Sequence, residues 1–419
     1  MPGNFSFIAR KATISTANFA AYASFHNFPR GRLTGNHWGA CVTLMETTSG
    51  TPYAFNFHHG DLGNFTVIGP SSSGKTVLLA FLMAQAQRFT PFSVYFDKDR
   101  GADIFIRALG GQYSVIRPGH PTGFNPLQLP DTAVNRAFLR DWLAQLVRPC
   151  DGTPLSSTDF GMIADAVDAN YQTEPQNRRL HVLQELFQGH ERPSTESLAA
   201  RLNPWWGSGE RAWLFDNALD ALSFEQRTTG FDLTFILDDP IGRTPTLMYL
   251  FHRVDQILTG QKAIIFIDEG WKALDDPAFE KRLKDWLKTI RKRNGLIGFG
   301  SQSAKDALNS RIGDSIIEQS PTQIFMPNHK AEQAAYCEGF GLTLEEFKTV
   351  RQLPDSSRCF LVKHGTHSVI ARLDLSGEDD LLSILSGREE TVGLLDEIRA
   401  EVGDDPAVWL PLFHARRIQ

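Results

Sequence analysis

Apolar and polar positions alternate over Ala40–Thr47 and Pro52–His58, on either side of Ser49-Gly50. Period-two alternation around a glycine turn predicts a β-hairpin, here one leading into the strand that follows. Short apolar runs then recur at Phe65–Ile68, Ser93–Phe96, Tyr113–Ile116, Ala263–Ile267, Leu296–Gly300 and Thr322–Met326. Between them lie helical patterns at about Gly74–Arg88, Thr244–Leu258, Pro277–Arg293 and Ala304–Glu318. Strand and helix signals in alternation predict an α/β fold, a mostly parallel sheet flanked by helices on both faces. The stretch Pro118–Pro130 is rich in Pro and Gly and reads as a linker.

From Asp131 to Phe235 the pattern becomes helical, at Arg136–Val147, Asp159–Tyr171, Leu180–Gln188 and Ser194–Leu202. This predicts a mostly helical subdomain inserted into the α/β domain. Trp205-Trp206 and Trp213-Leu214-Phe215 stand near its end and are expected to pack onto the parent domain. Cys359–Val362 and Ser368–Leu373 predict a terminal hairpin, and Asp379–Val402 a helical tail. The expected division is 1–125 and 239–375 for the two parts of the α/β domain, 126–238 for the insertion and 376–419 for the tail.

The loop after Phe65–Ile68 carries the chemistry. Gly69-Pro70-Ser71-Ser72-Ser73-Gly74-Lys75-Thr76 fits G-x-x-x-x-G-K-[ST]. Such a loop turns successive backbone N–H groups inward at a helix N-terminus and cradles a polyphosphate. Lys75 would reach the β- and γ-phosphates, and the Thr76 hydroxyl would ligate Mg²⁺. The second half is Ala263 to Trp271, AIIFIDEGW. A strand buried on both faces delivers Asp268 and Glu269 at its C-terminal end, where ligands bind in open α/β sheets. Asp268 is placed for the Mg²⁺ shell. Glu269 is expected on the opposite side of the strand line, orienting an attacking water, the group a hydrolase requires. The long stretch between Lys75 and Asp268, with a further strand inside it, fits P-loop proteins in which another strand separates the two nucleotide strands.

Gln302, in GSQS after the next strand, is either a γ-phosphate contact or a polar strand cap. Arg291, Lys292 and Arg293 precede that strand. They read equally as a basic helix terminus favoured by the dipole and as a source of an arginine acting on a neighbouring subunit's nucleotide. Lys98 and Arg100 are further candidates for a phosphate or intersubunit contact.

Composition narrows the reading. A chain of 419 residues with net charge −6 is poorly suited to coat DNA nonspecifically, since such binding rests on Lys and Arg. No apolar run is long enough to span a bilayer, and the N-terminus lacks the apolar core of a signal peptide. Cys41, Cys150, Cys337 and Cys359 show no metal spacing and read as reduced thiols. His58-His59 reads as surface histidine.

The ordered set GPSSSGKTVLL, FDKDRGADIFIRALGG, AWLFDN, IDEGWKAL with DWLKTIRKRNG, GSQS and TQIFMPN resembles the conjugation and type IV secretion ATPases of the CagE/TrbE/VirB family, within the FtsK/HerA-like P-loop motors. The resemblance implies a RecA-like P-loop NTPase with an inserted all-helical subdomain, the C-terminal ATPase portion of a longer protein. It implies ATP hydrolysis with Mg²⁺ at the cytoplasmic face of a bacterial inner membrane, energising pilus biogenesis and substrate transport. The expected partners are copies of the chain in a hexamer, other secretion-system ATPases and inner-membrane channel components. Carried over, it assigns Gly69 to Thr76 to nucleotide, Thr76 and Asp268 to Mg²⁺, Glu269 to water and Gln302 to the γ-phosphate. It favours Arg291 as the arginine acting in trans, with Arg293 next. A DNA-pumping translocase of the same superfamily and a catalytically weak scaffold are the competing readings.

Overall fold

The computed structural model describes residues 13, 15–22, 28–149, 151–187, 197–269 and 277–417. The IDEGWKAL motif beyond Glu269, Cys150 and the first residues of the chain lie outside the described residues.

Eleven strands form one sheet: β1 (Thr43–Thr47), β2 (Tyr53–Phe55), β3 (Phe65–Ile68), β4 (Phe92–Asp97), β5 (Gln112–Val115), β6 (Thr228–Asp232), β7 (Ala263–Asp268), β8 (Gly295–Ser301), β9 (Thr322–Phe325), β10 (Cys359–His364) and β11 (His367–Arg372). Their order is β2-β1-β11-β10-β9-β3-β8-β7-β4-β6-β5. The run from β9 to β5 is parallel throughout. The two hairpins extend it antiparallel at the other edge. The β1–β2 hairpin forms as its alternation predicts. It does not lie beside the nucleotide strand, however, because β11, β10 and β9 stand between β1 and β3.

Strand periodicity sorts the core. Val94, Phe96, Ile265, Ile267, Ile297 and Phe299 face one side of the sheet, and Tyr95, Ile264, Phe266 and Leu296 face the other. Alternate residues of a strand point to opposite faces, so a strand covered on both sides must be apolar throughout. The second face receives the helix Lys75–Ala86 through Leu78, Leu79, Leu82 and Met83. The first face receives the helices Ala133–Leu146, Ser157–Gln172 and Arg243–Ile257 in one continuous core. Trp205 and Phe215 join that core, and Phe215 meets the parent domain at the Tyr249 ring, edge to face at 6.5 Å. The Trp142 and Phe215 rings meet edge to face at 5.0 Å, and the Trp205 indole donates to the Leu146 carbonyl at 3.0 Å.

Three expectations are corrected. The segment 126–238 is not helical to its end, because it contains β6, which pairs with β4 and β5 inside the sheet. Its sequence TTGFD is short and polar, and its burial comes only from neighbours on both sides. The pattern Ala304–Glu318 forms two helices, Ala304–Asn309 and Gly313–Glu318. The chain folds back tightly there, and a Cβ on Gly313 would stand 2.4 Å from the Ala307 carbonyl oxygen. His58 is buried rather than on the surface, between the rings of His37 at 4.7 Å and Trp38 at 4.8 Å. Burial lowers its pKa to about 3.

The C-terminal tail forms helices Asp379–Leu385, Glu389–Val402 and Pro406–Arg417. Val392, Leu395, Ile398, Trp409 and Phe413 pack on Ile104 of the helix Asp103–Ala108. Among the described residues no helix is long and apolar enough to cross a membrane.

Candidate nucleotide site

The loop Gly69–Gly74 leaves the C-terminal end of β3, whose four residues are all buried. The chain turns through left-handed conformations at Ser72 (φ 65°) and Gly74 (φ 89°) before the helix begins at Lys75. The turn at Gly74 suits a residue without a Cβ. Gly69 is required for space, since a Cβ there would lie 2.5 Å from the Met326 side chain. The helix has no side-chain cap, which leaves its first N–H groups to an outside acceptor.

Lys75 is buried, and its Nζ donates to both Asp268 Oδ1 and Glu269 Oε1. Thr76 Oγ1 donates to Asp268 Oδ2 at 3.1 Å. Burial opposes the Lys75 charge, but the two carboxylates outweigh it and hold the ammonium above its ordinary range. Burial raises the Glu269 carboxyl above the usual carboxylate range, against the pull of Lys75.

Glu269 does not point away from Asp268 as strand alternation predicts. It lies just past the end of β7 with φ 58°, and its N–H donates to the Gly300 carbonyl at 3.2 Å. A left-handed residue breaks the two-residue period, so both carboxylates face the lysine. That conformation is costly for glutamate and is the kind of strain that persists where surrounding structure enforces it.

The strand between the two nucleotide strands is β8, which pairs with β3 on one side and β7 on the other. Its end carries Gln302, whose Oε1 accepts from Ser71 Oγ of the P-loop. Gln302 therefore belongs to the same cluster as the loop.

The arginines do not. Arg291 and Arg293 occupy the turn Ile290–Arg293 that precedes β8. They lie at the N-terminal ends of the parallel strands, about 20 Å of strand from the P-loop edge. Arg293 pairs with Asp255, which also accepts from the Trp286 indole at 3.1 Å. Arg291 is 44% exposed and only loosely paired, 3.8 Å from Asp61.

Lys98 is partly exposed at the end of β4, and its charge reaches Glu269. Arg100 is absorbed into the chain itself. It pairs with Asp103 and, through two bonds of 2.6 and 2.8 Å, with Asp396 of the tail. Its guanidinium is thus unavailable for the phosphate or intersubunit contact expected of it.

Sequence reading missed three neighbours of the site. Tyr95 Oη donates to Asp268 Oδ2 at 3.4 Å from within β4. Asp97, at the end of the same strand, accepts from Tyr113 Oη at 2.6 Å and the Ala102 N–H at 2.7 Å, and burial raises its pKa to about 8. Gly300 faces Asp268 across the β7–β8 register. Only the charged cluster after Phe96 signalled any of them.

The site fits a magnesium nucleotide. Ser73 Oγ is buried without a partner inside the loop, and the Thr76 hydroxyl and Asp268 carboxylate offer adjacent oxygens, the donors a hard cation takes.

The comparisons agree with this architecture. A family profile described as the TraG P-loop domain matches residues 61–350. The chain is 47% identical over 419 residues to the type IV secretion system protein virB4 of Bartonella henselae, covering 100% of this chain and 53% of that protein. It is 41% identical over 442 residues to the type IV secretion system protein PtlC of Bordetella pertussis, with the same coverage, 100% and 53%. The chain spans about half the length of the curated relatives it matches. The solved structure of VirB4 of Thermoanaerobacter pseudethanolicus superposes with a TM-score of 0.63 at 18% identity, covering 82% of this chain and 98% of that one. The unbound bacterial conjugative coupling protein TrwB gives 0.51 at 13%, covering 79% and 88%. Strand order, P-loop and profile match together place this chain in the TraG P-loop domain family.

Proposed function

We propose that this chain is the ATP-hydrolysing motor portion of a type IV secretion or conjugation machine. The convergence of Lys75, Thr76, Asp268 and Glu269 at one edge of the sheet supports this reading above all. The names of the relatives add the biological setting.

ATP binding exchanges one set of anions for another. The β- and γ-phosphates take the place of the two carboxylates around the Lys75 ammonium, and the loop amides of residues 69–74 close on the phosphate oxygens. Thr76 and Asp268 would hold Mg²⁺, which would supply positive charge to the phosphate oxygens. Released from Lys75, the Glu269 carboxylate orients water and accepts its proton. Gln302 exchanges its Ser71 contact for the γ-phosphate.

Arg291 cannot reach the P-loop of its own chain, so in this scheme it serves a neighbouring copy in a hexamer. In this reading the assembly works at the cytoplasmic face of the inner membrane, with other secretion ATPases and channel components as partners. The net charge of −6 speaks against DNA as the principal track.

Purified chain, Lys75→Ala and Glu269→Gln are compared for ATP turnover and nucleotide binding. Both variants lose turnover, and only Glu269→Gln retains ATP. Undiminished hydrolysis in Glu269→Gln removes the role given to that carboxylate.

A further inference from the structure

A second concavity opens away from the nucleotide edge, on the sheet face covered by the insertion. Three helices wall it: Ala133–Leu146, Arg243–Ile257 and Pro277–Thr289. Its volume is about 870 Å³, within the range of built ligand sites. The floor is apolar, made by Phe138, Met248, Phe251 and Phe279. Phe138 lies flat on His252 with ring centres 3.9 Å apart. Burial lowers the His252 pKa to about 4, so the floor carries no charge at neutral pH. On the opposite wall Val134 is 67% exposed, an apolar side chain left open at the lip.

The rim is basic. Lys281, Lys284 and Lys288 follow one another at helical spacing and line the edge given by Pro277–Thr289. Lys284 is paired to Glu280 at 2.7 Å, and Arg282 lies 3.7 Å from Asp255. Lys281 and Lys288 make no ion pair among the described residues. Basic side chains at the groove number four, against the acids Asp141 and Asp285. The stretch from Phe279 to Arg293 holds seven basic residues and two acidic ones, in a chain whose net charge is −6. Four of those seven line the open apolar groove.

We propose that this groove is the docking site for an amphipathic helix of a partner protein, apolar along one face and flanked by Asp or Glu. The walls are helices and expose no strand edge, so a partner cannot add as a strand; helix-in-groove recognition uses anchors at i, i+3, i+4 and i+7. The lysine row supplies the charge complementarity that selects an acidic partner and sets its direction. Nucleic acid is disfavoured, because the Phe138 ring already gives a face to His252 and the floor offers no polar groups to a sugar-phosphate chain. The proposal stands apart from the hydrolysis scheme, since binding is read without turnover.

The test is selection of random peptides on the whole chain, with counter-selection on Lys281→Glu/Lys288→Glu and on Val134→Glu. All three sites are away from the P-loop, and Tm and circular dichroism of the variants report that the fold is intact. Enriched peptides carry acidic residues beside apolar positions at helical spacing, and the best of them loses at least about tenfold in affinity on either variant, measured by anisotropy. Enrichment of basic or uncharged peptides, equal binding to the variants, or no groove-dependent peptide at all overturns the proposal. A single-stranded oligonucleotide that binds in place of any peptide, and is lost in the lysine variant, overturns it in favour of nucleic acid.

Discussion

Asp268 lies directly opposite Gly300 in the parallel register of β7 and β8, and a Cβ on Gly300 would stand 2.4 Å from Asp268 Oδ1 and 3.0 Å from Leu79 Cδ1. The carboxylate that faces Thr76 therefore occupies space that exists only because its neighbour has no side chain.

Gly300→Ala must displace Asp268 or push the sheet from the P-loop helix. Overpacking of this kind costs about 1–3 kcal/mol of stability, while an error of about 1 Å at a reacting centre can cost about a hundredfold in rate. The variant should fold with a modestly lower Tm and lose ATP turnover by at least about tenfold. Wild-type turnover in a folded Gly300→Ala protein would show that the carboxylate has room to spare.

The two arginines before β8 should separate by assay. Arg293→Ala leaves Asp255 with only the Trp286 indole and the more distant Arg282, and lowers Tm modestly. Arg291→Ala leaves Tm unchanged, because its pairing to Asp61 is loose and exposed. If Arg291 serves a neighbour, specific activity of the native chain rises with protein concentration and that rise disappears in Arg291→Ala. An identical concentration dependence in both proteins would exclude it.

The tail is clamped to the β4 loop by Arg100, which bridges the fully buried Asp103 and the half-exposed Asp396. Arg107 also holds Asp103, at 2.6 Å. Asp396→Asn should loosen the tail without unfolding the sheet, while Asp103→Asn, which leaves two arginines short of a buried anion, should cost several times more. Hydrogen exchange checks this: protection falls first in Glu389–Val402 and Pro406–Arg417, with β3, β7 and β8 unaffected. Uniform loss of protection across the chain is the contrary result.

Two buried histidines, His58 and His252, and the half-buried His364 make the fold sensitive to acid. Burial lowers His58 to about 3 and His252 and His364 to about 4. A base whose folded pKa lies below its unfolded value of about 6.5 binds fewer protons in the native state. Stability from these residues is therefore full above about pH 6.5 and falls as pH drops towards the folded pKa. Buried Asp97, at about 8, works in the opposite sense, with stability lost as pH rises from about 4 to about 8. Tm measured from pH 5 to pH 7 should rise less steeply in His58→Phe than in the native chain. Parallel curves would show that His58 takes up its proton without unfolding.

Local pattern alone specified most of the architecture. The apolar runs of β3, β4, β7, β8 and β9, the glycine-bounded loop ending in Lys75-Thr76 and the acids closing β7 were all legible, because burial on both faces and phosphate binding each demand particular residues at fixed spacing. Strand β6 was not legible, since TTGFD is polar and short and becomes a strand only between β4 and β5. Nor was the burial of His58, the internal commitment of Arg100 to Asp103 and Asp396, or the turn of Glu269 towards Lys75. Each of these depends on a partner distant in sequence or on a single left-handed residue. One-dimensional spacing records which side chains a segment carries, whereas their direction and their partners are set only when the sheet closes around them.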